Sequence, residues 1–444
     1  MKLYIETMGC PKNFNDSEGI AGIWEGAGMS LTTDPYEADA LLVNTCGFID
    51  DAKRESIDKI FDMARLASET EREEDKKILI VTGCLTQRFG DELYEQIPEI
   101  DLMMGVNDYE KLPALIRSYK RGIRSKVISC DPGKFTEFTG RKYEENPYTA
   151  TIRIAEGCNN CCAYCVIPQI RGAYRSRPME SIIDEAEHMA SLGTRELMLI
   201  AQDVTEYGTD LYGEHMLPEL LRKLCKIDGL RWIRLMYCYE DKITDELIEV
   251  MKEEEKICNY IDIPLQHVSD HVLEEMNRRS TNASIRDTLE RLRSAIPDIH
   301  IRTTFITGFP GETEEDFDQL YDFADQFRFE RLGVFAYSRE EGTPAGDRED
   351  QIDEEVKAAR ADSIMRRQIE ISREVNEAKV GSLQEVMVDY VDEEGAYVGR
   401  TCYDAPEIDN TVILRADEDL KPGDMVMVRI KDAFDYDLVG EVES

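Results

Sequence analysis

Continuous apolar runs that alternate with helical patterns constrain this chain more than any other feature. KLYIETMGC, ADALLVNTCGF and KILIVTGCL are strand-like. The first leads through a polar turn, PKNFNDSE, into a helical run from about Ser17. The others lead into SIDKIFDMARLASE and QRFGDELYEQI. Strands that are apolar throughout need cover on both faces, which a parallel sheet flanked by helices supplies. Residues 1–120 therefore read as an α/β, doubly wound parallel-sheet domain. The polar stretch SETEREEDKK between the second helix and third strand reads as a solvated helix end and loop.

The rhythm weakens over residues 121–147, read as a linker that includes a basic cluster, YKRGIRSK, and the segment RKYEENPY. It returns over 148–378. TATIRIAEG, RELMLIAQD, LRWIRLMYCY, ICNYIDIPLQH, HIRTTFITGFPGE and RLGVFAYSREEGT are six strand-like runs separated by helical patterns. Six such units suit a partial or full barrel of parallel strands. Residues 351–378 read as one long helix. Residues 379–444 change texture to alternating apolar and polar positions with DEEG-type turns, the pattern of a small antiparallel β-barrel.

Three cysteines stand at corresponding places in the first domain: Cys10 ends ETMGC, Cys46 ends LLVNTC and Cys84 ends LIVTGC. The carboxyl ends of strands in a doubly wound sheet share one edge, where ligands bind, so the three thiols should converge. Such a set suits an iron–sulfur cluster with one iron not held by protein, or a zinc site with an open position. In the second domain Cys158, Cys162 and Cys165 form C-x3-C-x2-C directly after the first barrel strand. That spacing wraps one 4Fe–4S cluster, again with a free iron. Zinc usually draws four ligands from two distant pairs, and no second pair follows.

The setting agrees with metal chemistry. No apolar run is long enough to cross a membrane, and MKLYIETMGC lacks the basic and apolar blocks of a secretory leader, so a cytoplasmic location is expected. Twelve cysteines in that compartment point to metal or redox chemistry and away from disulfides. Net charge is −39, a surface that repels polyphosphates and attracts basic partners, or one that simply keeps the chain soluble.

Cys158, Cys162, Cys165 and the aromatic Tyr164 resemble the signature of radical S-adenosylmethionine (radical SAM) enzymes. The resemblance implies that the free iron binds S-adenosylmethionine and that its one-electron cleavage yields a radical able to abstract hydrogen. EGCNNCCAYCVIP, RGAYRSRP, the upstream cysteines and a TRAM-like terminal barrel are similar to the radical SAM methylthiotransferases along the whole chain. The resemblance implies a second 4Fe–4S cluster on Cys10, Cys46 and Cys84 that carries the methylthio group. It also implies that S-adenosylmethionine serves both as methyl donor and as radical source.

Within that family, ETMGCPKNFNDSE, LIAQDVTEYG, IPLQHVSDHVLEEMNRRST, FITGFPGET and FAYSREEGT resemble the RimO branch, whose substrate is an aspartate β-carbon of small-subunit ribosomal protein S-twelve. tRNA-modifying, MiaB-like relatives typically read GCQMN at the first cysteine and QSGS where this chain has Gln266, His267, Val268 and Ser269. Residues 379–444 hold 6 basic and 17 acidic residues, a poor match to an RNA backbone and a good one to a basic ribosomal protein. Other expected partners are a reductant such as flavodoxin or ferredoxin and a sulfur donor, with no membrane and no tRNA. The rival readings are a tRNA adenosine methylthiotransferase and a non-enzymatic iron–sulfur electron carrier.

Further positions are weighed against structural roles. Gln202 and Asp203 end the second barrel strand, placed either to meet S-adenosylmethionine or to cap the strand. Arg175 and Arg177 suit its carboxylate or surface salt bridges. Gly308 and Gly311 bracket a strand-end turn where backbone can approach a ligand. His267 is a candidate substrate contact, against the commoner structural role of a lone histidine. Cys161 reads as a bystander, and Cys130, Cys225, Cys238, Cys258 and Cys402 as buried or incidental.

Overall fold

Strands β1 (Lys2–Thr7), β2 (Ser30–Leu31), β3 (Ala40–Thr45), β4 (Ile78–Gly83), β5 (Leu102–Met104) and β6 (Ser125–Val127) form one parallel sheet in the order β2-β1-β3-β4-β5-β6. The helices between them are α1 (Pro11–Gly26), α2 (Asp50–Ser68), α3 (Cys84–Gln96) and α4 (Leu112–Ser118). Ala40 and Leu42 of β3 point into a core with Ile20, Trp24 and Leu112, whereas Leu41 and Val43 point into another with Ile60, Ala64 and Leu93. Each face of the sheet is thus covered, which is why the strands carry no polar alternation. The computed structural model describes residues 1–69, 76–119, 122–130, 140–142, 148–417 and 419–443.

Two expectations change here. PKNFNDSE is not a turn: α1 begins at Pro11, because proline has the fixed φ suited to a first helical turn and needs no amide partner there. The stretch read as a linker also contributes structure. Ser125–Val127 pair with β5, and Arg141 is buried between Glu18 of α1 and Glu185 of the next domain. Most of SETEREEDKK and of RKYEENPY lies outside the described residues, as do two residues of YKRGIRSK.

The middle domain holds β7 (Thr149–Arg153), β8 (Ala155–Glu156), α5 (Ile167–Arg171), β9 (Arg175–Ser176), α6 (Met179–Ser191), β10 (Glu196–Ile200), α7 (Leu217–Leu224), β11 (Trp232–Leu235), α8 (Asp245–Glu253), β12 (Ile257–Gln266), α9 (Asp270–Glu275), α10 (Asn282–Ala295), β13 (His300–Thr307), α11 (Glu314–Phe327), β14 (Arg331–Ala336) and α12 (Glu354–Glu377). Its six-stranded parallel sheet runs β14-β13-β12-β11-β10-β7 and is open between β14 and β7, a partial barrel. The small β8–β9 hairpin stands apart from it.

The terminal strands β15 (Leu383–Val391), β16 (Tyr397–Thr401), β17 (Val412–Arg415), β18 (Met425–Ala433) and β19 (Leu438–Val442) close into a barrel around Val386, Val388, Val428 and Ile430. This barrel docks on the amino-terminal halves of the middle strands: Glu196 pairs with Arg400, Arg331 with Asp404, and Tyr260 donates to Asp409. The carboxyl ends are left to the first domain. No helix among the described residues is long and apolar enough to cross a membrane.

Candidate functional site

In the first domain the chain leaves β1 toward β2 on one side and continues as β3 on the other, so the crevice outside the carboxyl ends of β1 and β3 is a topological switch point. Cys10 precedes α1, Cys46 follows β3 and Cys84 opens α3. Gly9 has φ +94°, and a side chain there would meet Cys46 Cβ at 2.8 Å; glycine lets the two segments touch. Asn13 ties the set together. Its Nδ2 donates to the carbonyls of Met8 (2.7 Å) and Thr45 (3.1 Å), and its Oδ1 lies 3.7 Å from Cys84 Sγ. Cys10, Cys46 and Cys84 lie at one edge of the sheet, near enough to interact electrostatically.

The second cysteine loop follows β8. Gly157 takes φ +80°, and a side chain there would also run into the Ala173 carbonyl at 2.2 Å. Cys158 N donates to Gly172 O, Ala163 N to Met276 O and Asn277 Nδ2 to Cys161 O, which fixes the loop at both ends. Cys158 and Cys162 are buried and Cys165 half-buried, while Cys161 is exposed with its sulfur near its own loop's Asn159 carbonyl. A pocket of about 220 Å³ opens beside Cys161 and Cys162, lined also by Tyr239, Asn277 and Arg278. Among the remaining cysteines, Cys225, Cys238 and Cys258 are buried, Cys402 is partly so and Cys130 is exposed.

The two thiol sets face a common buried cluster. Arg171, at the end of α5, donates to Asp16 (2.7 Å), to Asn13 Oδ1 (3.2 Å) and to Cys84 Sγ (3.2 Å). Arg153 donates to Asp16 and Glu156. Lys12 Nζ crosses from the first domain to the barrel mouth, donating to Ala201 O (3.1 Å) and sitting 3.8 Å over the Tyr237 ring. Its charge is felt by Cys165. Sequence reading missed Lys12, Asp16, Arg153, Glu156 and Arg171. The signal available was proximity to the cysteines, PKN after Cys10 and EG before Cys158.

Burial dominates the electrostatics. It pushes the Cys84 thiol up to about 12, with Arg171 pulling back, and it raises Cys165 to about 12 and Cys158 to about 11. Metal binding at such thiols must expel their protons. Among the described residues no three His, Cys, Asp or Glu lie close enough to share a single metal ion.

Other candidate residues divide. Gln202 Nε2 donates to Glu156 and Asp203 accepts from Asn160 of the cysteine loop, so both stand at the mouth; Gln202 Oε1 is buried without a hydrogen-bond partner among the described residues. Tyr164 packs among Met276, Phe309 and Tyr337, 3.5 Å from Arg278 Nη1. Arg177 is a structural ion pair: it is held by Glu185 and Ser181 of α6, so a carboxylate-anchoring role does not fit. Arg175 is half-buried and donates to the carbonyls of Arg171 and Ala173.

Gly308 donates its amide to Glu312, and a side chain there would strike Lys357, so turn geometry accounts for the glycine; Gly311 is likewise crowded by Arg348. Phe309 between them packs on Ala163. His267 is fully buried and accepts from Ser269 N, 3.7 Å from Glu312, which rules out direct substrate contact in this arrangement.

Comparison with known proteins places these features. The Radical SAM superfamily matches residues 152–324, Uncharacterized protein family UPF0004 residues 2–105, and the TRAM domain residues 380–442. The ribosomal protein uS12 methylthiotransferase RimO of Clostridioides difficile (strain 630) is 46% identical over 442 residues, covering 100% of this chain and 99% of that one. The chain belongs to the RimO family. The RimO proteins of Clostridium tetani (strain Massachusetts / E88), 45% identical over 100% of this chain and 98% of theirs, and of Geobacter sulfurreducens (strain ATCC 51573 / DSM 12127 / PCA), 46% over 100% and 99%, agree along the same span.

Among solved structures the RimO-family fold is similar to TsrM, a radical S-adenosylmethionine methyltransferase from Kitasatospora setae. Its TM-score is 0.58 at 15% identity, over 78% of this chain and 77% of that one. The cobalamin-dependent enzyme OxsB has TM-score 0.52 at 12% identity over 83% and 56%. At those identities the likeness speaks for the fold alone.

Proposed function

We propose that this chain, as a RimO-family methylthiotransferase, attaches a methylthio group to the β-carbon of an aspartate in ribosomal protein uS12, the S-twelve of the small subunit. In this reading Cys158, Cys162 and Cys165 hold one 4Fe–4S cluster and Cys10, Cys46 and Cys84 a second. The carrying observation is Arg171, which rises from the helix after one cysteine loop and bonds the sulfur of Cys84 in the other set.

The donor sets fit the groups. Each offers three thiols, which leaves one iron of four without a protein ligand. Gln202 Oε1, a buried acceptor beside the loop without a partner among the described residues, fits a ligand that donates hydrogen bonds, as the ammonium of S-adenosylmethionine does. When bound, the clusters and S-adenosylmethionine supply hydrogen abstraction and the methylthio group.

The chain's residues do the rest. Asn13 and Gly9 gather the upstream thiols, and Asn277 and Met276 fix the downstream loop. Asp16 and Glu156 neutralise Arg171 and Arg153 between the sets, and all four side chains are buried. The acidic terminal barrel suits a basic protein substrate better than a phosphate backbone. The reading places the chain in the cytoplasm, with a flavodoxin- or ferredoxin-type reductant and a sulfur donor as partners.

Mass spectrometry of uS12 and of tRNA after incubation with reduced, reconstituted protein tests the reading. A gain of one methylthio group on a uS12 aspartate is expected, and modification of tRNA alone would overturn it.

A further inference from the structure

The ammonium of Lys12 is a cation short of an anion. The residue is 9% exposed, and among the described residues its Nζ makes one hydrogen bond, to a carbonyl, with the face of Tyr237 on another side. No carboxylate among the described residues stands within 4.0 Å of it. The carboxylates nearest in the cluster, Asp16 and Glu156, are already engaged by Arg153 and Arg171. Among the described residues Lys12, Arg153 and Arg171 are thus buried there with the carboxylates of Asp16 and Glu156, and neither carboxylate pairs with Lys12. A buried charge without a counter-charge is costly, so a site that keeps one suits a ligand that brings the opposite sign.

Position says which ligand. Ala201 and Tyr237 follow β10 and β11, so the ammonium stands at the carboxyl-end mouth of the partial barrel, between Cys10 of one thiol set and the loop of the other. In an aspartate the carboxylate carbon is bonded directly to the β-carbon. A carboxylate held at Nζ therefore sets the β-carbon a few bond lengths from an ammonium that interacts with Cys10 of one thiol set and Cys165 of the other.

We propose that Lys12 binds the side-chain carboxylate of the substrate aspartate and so selects aspartate and positions its β-carbon. The inference rests on the uS12 reading above. It makes Lys12 a substrate-binding residue and gives the site a reason to discriminate aspartate from asparagine: the neutral amide leaves the buried ammonium unmatched.

The test uses full-length protein with both clusters reconstituted, in wild-type, Lys12→Met and Lys12→Arg forms. The probes are uS12 and uS12 with asparagine at the modified position, and both binding and methylthio transfer are followed. Lys12→Met is expected to keep the iron content and cluster spectra of wild type and to cleave S-adenosylmethionine when reduced. It should bind aspartate substrate about 10- to 100-fold more weakly, the range for a hydrogen bond to a charged group. It should also lose the preference for aspartate over asparagine, and Lys12→Arg should recover part of it.

Equal weakening toward both substrates, or unchanged binding with altered spectra of the upstream cluster, would overturn the proposal and make Lys12 a counter-ion of that cluster. Wild-type protein that modifies tRNA and leaves uS12 untouched would instead defeat the substrate reading itself, a result visible before any variant is made.

Discussion

Arg171 Nη2 lies 3.2 Å from Cys84 Sγ, although the two residues stand 87 positions apart and in different domains. The same guanidinium bonds Asp16, so one buried side chain joins the first domain's acid, its third cysteine and the helix that follows the second cysteine loop. Arg171→Met strands part of the charge on Asp16 and Glu156. A loss of about 3 kcal/mol in unfolding free energy is expected, since removing one partner of a buried pair leaves the other uncompensated. Urea unfolding of the variant checks the value, and Arg171→Lys should recover only part because it lacks the fork that reaches both Asp16 and Asn13.

The two cysteine sets should fail separately. Alanine at Cys10, Cys46 and Cys84 is expected to leave about four of about eight irons per chain and to abolish methylthio transfer while sparing reductive cleavage of S-adenosylmethionine. Alanine at Cys158, Cys162 and Cys165 should abolish both activities. Iron analysis and product chromatography read the division; Cys161→Ala should change neither.

Stability should fall on the acid side through His267. Burial lowers its pKa from 6.5 to about 3, with Asp316 opposing and Arg360 and His271 reinforcing. The folded protein therefore holds a neutral imidazole where the unfolded chain takes up a proton. Its contribution is fully present above pH 6.5 and is lost as pH falls toward 3, by about 1.4 kcal/mol for each pH unit. Denaturant midpoints between pH 7 and 5 should show a shallower decline for His267→Gln than for wild type; parallel slopes would refute the assignment. His300, also lowered by burial, supplies a similar slope to both.

Glu196 is buried between Arg234 of β11, at 2.7 Å, and Arg400 of the terminal barrel. Glu196→Gln leaves two guanidinium groups facing each other, with an expected cost of about 3–5 kcal/mol. Because Arg400 belongs to the docked barrel, the variant should also speed proteolysis between α12 and β15, measurable by limited digestion.

The strand–helix rhythm, the open parallel sheet and the closed terminal barrel were legible in the chain because hydrophobic periodicity is a local property. So was the shared edge of Cys10, Cys46 and Cys84, because their placement after parallel strands follows from topology. Local pattern misread PKNFNDSE, where Pro11 starts a helix, and took residues 121–147 for a linker although β6 pairs there by contacts made far along the chain.

Arg177 and His267 looked available in sequence, and packing alone commits them to Glu185 and to a sealed interior. The amino-acid order by itself determined that two sets of three thiols follow strands of two different domains. Only the tertiary structure decided that these sets share one buried cluster of Arg171, Asp16, Glu156 and Lys12. Burial there converts ordinary surface-type residues into strongly interacting charges, and no periodicity records which distant segments will be buried together.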